Sequence, residues 1–251
     1  MIVLAKHKIA IIHIPKCAGT NLKQALYALN NENIEIIEGI KVIDGIKYDT
    51  AHLTNNILAC KFPDLFEDIK KYKTYAIIRN PEERFFSAIN QYSKTQLKKP
   101  IYRLSKKEKK DLEMHIINRI NSDDNAIEMI HFKKQIEFIE YKESNLVQNI
   151  IRIESIGKLE SYIEKILDCK IFENRHHKNE TLAYKNKFIA EILIENKLIE
   201  YAKSKVKSKT IKGIAKKIFL KKNENSELTE DTLAFVKNFY KEDFNLWNNA
   251  E

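Results

Sequence analysis

Two short stretches and a few histidines hold the residues that could do chemistry. The first stretch is His13-Ile14-Pro15-Lys16-Cys17-Ala18-Gly19-Thr20-Asn21. It lies between an apolar run, Lys8 to Ile14, and a helical pattern through Leu22, Ala25, Leu26 and Leu29. A strand, a turn of small residues and a helix start would aim backbone N–H groups and the positive helix end at an anion. Lys16 adds a mobile positive charge and Thr20 a hydroxyl. The same residues also describe an ordinary strand-to-helix turn with a solvated lysine, and spacing alone leaves both readings open. The G-x-x-x-x-G-K-S/T pattern is absent. No Lys-Ser/Thr pair follows Gly19, so the hydroxyl that holds Mg²⁺ in a nucleoside-triphosphate loop is missing.

The second stretch is Ile78-Arg79-Asn80-Pro81-Glu82-Glu83-Arg84-Phe85-Phe86-Ser87-Ala88. Arg79 follows the apolar run Tyr72 to Ile78, where open α/β sheets bind ligands. Its guanidinium can grip a phosphate bidentately, and Ser87 can add a hydroxyl bond. Arg84 and Ser87 are three residues apart and share a helix face. Read blandly, this is a capped helix with surface charges.

The elements that must position these groups are legible in outline. Asn80 suits an N-cap and Pro81 the first helical position, with Glu82 and Glu83 at the positive helix end. Further strands are expected at Ile34 to Ile43 and Leu146 to Ile153. Further helices are expected at Asn55 to Cys60, Pro63 to Lys71, Ser105 to Ile120, Ala126 to Glu140, Glu154 to Leu167 and Glu227 to Tyr240. Strand–turn–helix recurs, which predicts an α/β fold: a P-loop-like, three-layer α/β/α arrangement with a central, mostly parallel sheet. The chain reads as a single domain over 1–251.

Taken together, the two stretches resemble the sulfotransferases that use 3′-phosphoadenosine-5′-phosphosulfate, especially the Golgi-type carbohydrate branch and its bacterial relatives. His13 to Thr20 is similar to that family's HIPKTGGTS loop for the 5′-phosphosulfate. Arg79 to Ser87 is similar to its RxPxxRFxSxY motif for the 3′-phosphate. Weaker echoes follow in order: Ala51-His52-Leu53, His131 to Gln135 with Phe138-Ile139, Ile151 to Glu154, and Phe239 to Phe244. Departures are Cys17 and Ala18 for Thr and Gly, and Asn21 for Ser.

The resemblance implies donor binding by Pro15, Lys16, Cys17, Ala18, Gly19, Thr20, Asn21, Arg79 and Ser87. It implies Lys16 as the cation on the leaving group and His52 as the base that activates an acceptor hydroxyl, with His131 and Glu154 behind it. The implied acceptor is a glycan. No metal is expected, since ligands do not cluster. A kinase with an unusual phosphate loop and a catalytically dead membrane- or polyanion-binding module are the rival readings.

Composition narrows the setting. The 251 residues carry a net charge of +9, and 43% of them are hydrophobic, enough for a packed core. Twelve lysines and three glutamates fall within 185–222, so that segment alone carries +9 and the remainder is balanced. Lys185 to Leu198 reads as a helix. Ile211, Ile214, Ala215, Ile218 and Phe219 form an apolar stripe within a basic amphipathic helix over 209–222. This insertion could pack on the core, lie on an anionic membrane surface, or line a groove for an anionic polysaccharide. Nucleic acid is disfavoured, because no aromatic platform accompanies the lysines. Cys17, Cys60 and Cys169 form no CxxC, which points away from zinc and disulfides toward a reducing, cytoplasmic setting, peripheral at the inner membrane surface if 209–222 binds lipid.

Overall fold

A computed structural model describes every residue except Asn30, Glu143, 173–181, 185–219, 223–226 and Glu251. It is an α/β fold. Five strands form one sheet in the order β3-β1-β2-β6-β9, where β1 is Ile2–Leu4, β2 Ile9–Ile12, β3 Ile34–Ile36, β6 Lys73–Ile78 and β9 Asn149–Arg152. The sheet is mixed. β2 pairs with β6, and β6 with β9, in parallel; β1 pairs antiparallel with β2 and β3. The parallel half reads as unbroken apolar sequence because helices cover both faces. Every residue of β2, and Thr74 to Ile78 of β6, is buried.

Helices α1 (Gly19–Tyr27), α2 (Asn55–Lys61), α3 (Pro63–Lys70) and α6 (Ile156–Leu167) pack around the sheet in a first apolar core. Helices α4 (Pro81–Gln96), α5 (Lys106–Asn121) and α7 (Glu230–Phe239) build a second, helical core around Phe85, Ile89, Leu112, Phe132 and Tyr240. The expected cap of α4 is present: Asn80 Oδ1 accepts from the N–H groups of Glu82 and Glu83 at 3.0 and 3.4 Å.

Three expectations are corrected. The single strand over 34–43 is split: pairing with β1 stops at Ile36, Gly39 turns the chain at φ 118°, and β4 (Ile40–Ile43) forms a separate hairpin with β5 (Ile46–Asp49). The helix over 126–140 is two 3-10 turns, Ile127–Phe132 and Gln135–Phe138, divided by extended Lys133 and Lys134. The reason is that this segment crosses between cores. Phe132 is 2% exposed in the helical core and Phe138 fully buried in the sheet core, and one regular helix would not serve both. Finally, residues 220–222, expected to end the basic helix, pair as a strand with 182–184. The rest of the insertion, 185–219, lies outside the described residues.

Candidate functional site

The parallel strands deliver three segments to one edge of the sheet. The loop His13–Ala18 follows β2, Arg79 follows β6, and Arg152 closes β9. This edge is the carboxyl end of the strands, where α/β sheets hold ligands.

The loop is built to point its backbone inward. Lys16 and Ala18 both adopt the left-handed region, at φ 68° and 64°, on either side of Cys17. Such alternation makes a concave nest of N–H groups. Among the described residues, the N–H groups of Ala18, Gly19 and Thr20 find no acceptor; Asn21 is the first to bond back, to Ala18 O at 3.1 Å. Thr20 and Asn21 are exposed at the mouth. Gly19 is required by packing: a Cβ there would meet the His13 ring at 2.1 Å. Cys17 is buried, and burial pushes its thiol up to about 11. It stays protonated and donates to Gln135 Oε1 at 3.3 Å.

The cations around this loop come from two strand ends and one helix: Lys16 follows β2, Arg79 follows β6, and Arg84 and Lys94 lie on α4. Lys16 forms no ion pair among the described residues, and its ammonium is pushed below its ordinary value by burial first and then by Lys94, Arg79 and Arg84. A lysine left without an acid of its own, among further cations, suits an anion site. Arg84, expected on a helix face with Ser87, is 2% exposed and donates from Nε to Pro15 O at 3.0 Å, clamping the loop; its Nη2 has no partner. Arg79 bonds Glu83 through Nε and Nη2 at 3.1 and 3.0 Å.

A buried amide ties the two halves of this anion site together. Gln135 Oε1 accepts the Arg79 N–H at 2.9 Å, while its Nε2 donates to the Arg79 carbonyl at 2.9 Å. The same Oε1 takes the Cys17 thiol. Gln135 is held in turn by Asp243, whose two oxygens accept the N–H groups of Gln135 and Ile136 at 2.8 and 3.0 Å. Asp243 comes from α8 (Lys241–Asn249), 108 residues further along the chain.

On the loop's other flank stand three imidazoles. The His13 and His52 ring centroids are 4.4 Å apart, and those of His52 and His131 are 5.8 Å apart. His52 Nδ1 lies 2.9 Å from the His13 carbonyl. A carbonyl only accepts, so Nδ1 carries the proton and Nε2 keeps its lone pair. Ala51 N, just before His52, bonds Asp49 Oδ1 at 3.0 Å, which fixes the approach. All three rings are held neutral chiefly by burial. His13 falls well below its ordinary value, His52 falls below 6.5, and His131 falls to about 3 with His52, Lys16 and Arg84 adding to the effect.

The expected residues therefore divide. Lys16, its loop, Arg79 and His52 meet at one sheet edge. Ser87 sits partly exposed on α4 with no hydrogen bond among the described residues, and Glu154 is exposed in the 3-10 turn Ile153–Ser155, outside the imidazole row. Gln135 and Asp243 lie in stretches the sequence displays but carry no role there, and Arg84 reads only as sharing a helix face with Ser87, not as the buried clamp it is. Their types gave no hint of burial, since isolated Arg, Gln and Asp are surface residues by default. Among the described residues no His, Cys, Asp or Glu cluster could hold a metal, and no helix is long and apolar enough to cross a membrane.

A family model described as Sulfotransferase family matches residues 1–249 of the chain. No curated protein and no solved structure matches it.

Proposed function

The chain belongs to the sulfotransferase family, a family dependent on 3′-phosphoadenosine-5′-phosphosulfate, and from that premise we propose that it transfers a sulfuryl group to a saccharide hydroxyl using the loop, Arg79 and His52. One observation carries the reading. Gln135 ties the Lys16 loop and Arg79 together at neighbouring strand ends, so two anion-binding elements serve one ligand.

The residues present fit the donor. The unpaired N–H groups of the loop and the unneutralised Lys16 suit the 5′-phosphosulfate. Arg79 and Ser87 suit the 3′-phosphate, with Arg79 exchanging Glu83 for it. The donor supplies an activated sulfuryl group; the protein supplies position and charge. His52 Nε2 takes the proton of the acceptor hydroxyl as that oxygen bonds to sulfur. Lys16 and the loop N–H groups hold the negative charge left on the 5′-phosphate as its bond to sulfur breaks. His13 keeps His52 in the tautomer that can accept. The saccharide acceptor rests on the likeness of His13 to Thr20 to the carbohydrate branch. The reducing, cytoplasmic setting proposed with it rests on the sequence alone, where Cys17, Cys60 and Cys169 form no CxxC.

Thermal unfolding tests the donor half. Adenosine 3′,5′-bisphosphate at a hundredfold excess over Kd should stabilise the protein by about 2.7 kcal/mol, a rise of roughly 5–10 °C, and ATP–Mg²⁺ should not. The reverse result would favour the kinase. Flotation with anionic vesicles at low salt tests whether the chain also docks at membrane surfaces; absence of binding removes that part.

A further inference from the structure

His131 is the one imidazole of the row whose setting the fold does not account for. His13 packs under Gly19, and its carbonyl holds His52. Among the described residues the histidine rings that make hydrogen bonds are His52 and His115, so neither nitrogen of His131 has a partner. Yet its position is rigidly set. The next residue, Phe132, is 2% exposed, stacks edge-on against Phe85 at 5.5 Å and Tyr92 at 6.4 Å, and gives its carbonyl to Tyr240 Oη. Three residues on, Gln135 is locked by Asp243. A partly exposed imidazole held this firmly, with no protein partner on either nitrogen and neither nitrogen among the buried unpartnered atoms, is open to a ligand.

Its neighbours say which part of the ligand it meets. Its ring lies beside that of His52, and it feels the charges of Lys16 and Arg84. It therefore stands next to the base to which the acceptor hydroxyl must come. A neutral imidazole offers one donor and one acceptor, and a hydroxyl can use either. The ring centroids of His52 and His131 are 5.8 Å apart. Hydrogen bonds of about 2.8 Å from each ring reach two oxygens that are themselves close neighbours.

We propose that His131 binds a second hydroxyl adjacent to the one His52 deprotonates, so that the acceptor is a 1,2-diol as found on a pyranose ring. This rests on the sulfotransferase reading above and specifies its acceptor. His131 is a specificity residue here; the proton goes to His52.

The test uses the full chain with labelled donor and a panel of methyl hexopyranosides and their monodeoxy analogues. The glycoside turned over fastest should lose about tenfold in kcat/KM when the hydroxyl next to the sulfated one is removed. His131→Ala and His131→Gln should each lose a similar factor on the parent glycoside and nothing further on the deoxy analogue. Equal losses on both acceptors would overturn the proposal, since a structural or proton-relay role makes no distinction between them. Bisphosphate binding without sulfation of any diol in the panel would overturn it too. Loss of bisphosphate binding in the unaltered protein would instead refute the donor reading.

Discussion

The cation half of the site and the imidazole half share one sheet edge, and the fold treats charge in them oppositely. Lys16 lies among Lys94, Arg79 and Arg84 without an acid of its own. His13, His52 and His131 are kept uncharged, chiefly by burial, and the cations next door reinforce this. One half holds charge for an anion; the other withholds it so that a proton can be accepted. The halves are not independent, because Lys16 and Arg84 help hold down His131. A single arrangement of strand ends thus sets up both a leaving-group site and a base.

The comparison predicts two large and different losses. His52→Ala should lower kcat by about 10³-fold, the usual scale for a positioned general base, with bisphosphate affinity nearly unchanged. Lys16→Ala should lower kcat by about 10²-fold and weaken bisphosphate binding as well. Steady-state rates with titration of the bisphosphate separate the two. If the pattern were exchanged, with His52→Ala weakening the nucleotide and Lys16→Ala sparing it, the division into halves would be wrong.

The next effect falls on what holds the cation half together. Asp243→Ala leaves the N–H groups of Gln135 and Ile136 unmet in a buried place, and should cost about 3 kcal/mol in urea unfolding. Because Gln135 carries both Arg79 and Cys17, bisphosphate affinity should fall with it. His52 is held by His13 and Asp49 instead, so its tautomer should persist, visible as an unchanged Nδ1–H signal in NMR.

That dependence also shows where sequence reading stops. The loop and Arg79 were legible because each is a local unit: an apolar run, a turn and a cap, all within a dozen residues. His52 and Asp243 were legible only as echoes of a family pattern. The clamp from Asp243 through Gln135 to Arg79 spans distances of 108 and 56 residues, and no local periodicity encodes it. The same limit explains the segment 126–140. Its composition permits a helix, and only the need to place Phe132 in one core and Phe138 in the other breaks it. Ile2–Leu4 is too short an apolar run to announce itself as a strand, yet it joins β2 to β3. Its partner Ile34–Ile36 lies more than thirty residues away.

A smaller, pH-dependent effect sharpens the imidazole half. Burial holds His52 below its ordinary 6.5, so the acid limb of kcat/KM should have its midpoint below that of a free imidazole. Stability follows from His131. Unfolded, it binds a proton near 6.5; folded, only near 3. Between those values the unfolded state holds more protons, so stability is complete above 6.5 and drains away as pH falls. The slope is about 1.4 kcal/mol per pH unit for each histidine so held. His131→Gln should flatten the slope measured between pH 6.5 and 5 by one histidine's share. Lys16→Met should move the His131 titration upward, detectable by NMR, because one of the cations suppressing it is gone.

The smallest effect lies in the loop backbone and bears on how the cation half is made. Ala18 stands at φ 64°, where a Cβ costs roughly 1–2 kcal/mol against the following carbonyl. Glycine would remove that strain but would lose more freedom on folding, which returns roughly 0.5–1 kcal/mol. Ala18→Gly should therefore raise stability by at most about 1.5 kcal/mol, read from urea midpoints. If the nest is a rigid product of its neighbours, clamped by Arg84 at Pro15 and by Gln135 at Cys17, bisphosphate affinity should stay the same. Weaker binding in the glycine variant would mean that the alanine itself stiffens the loop, and that the cation half depends on local backbone strain as well as on its distant clamp.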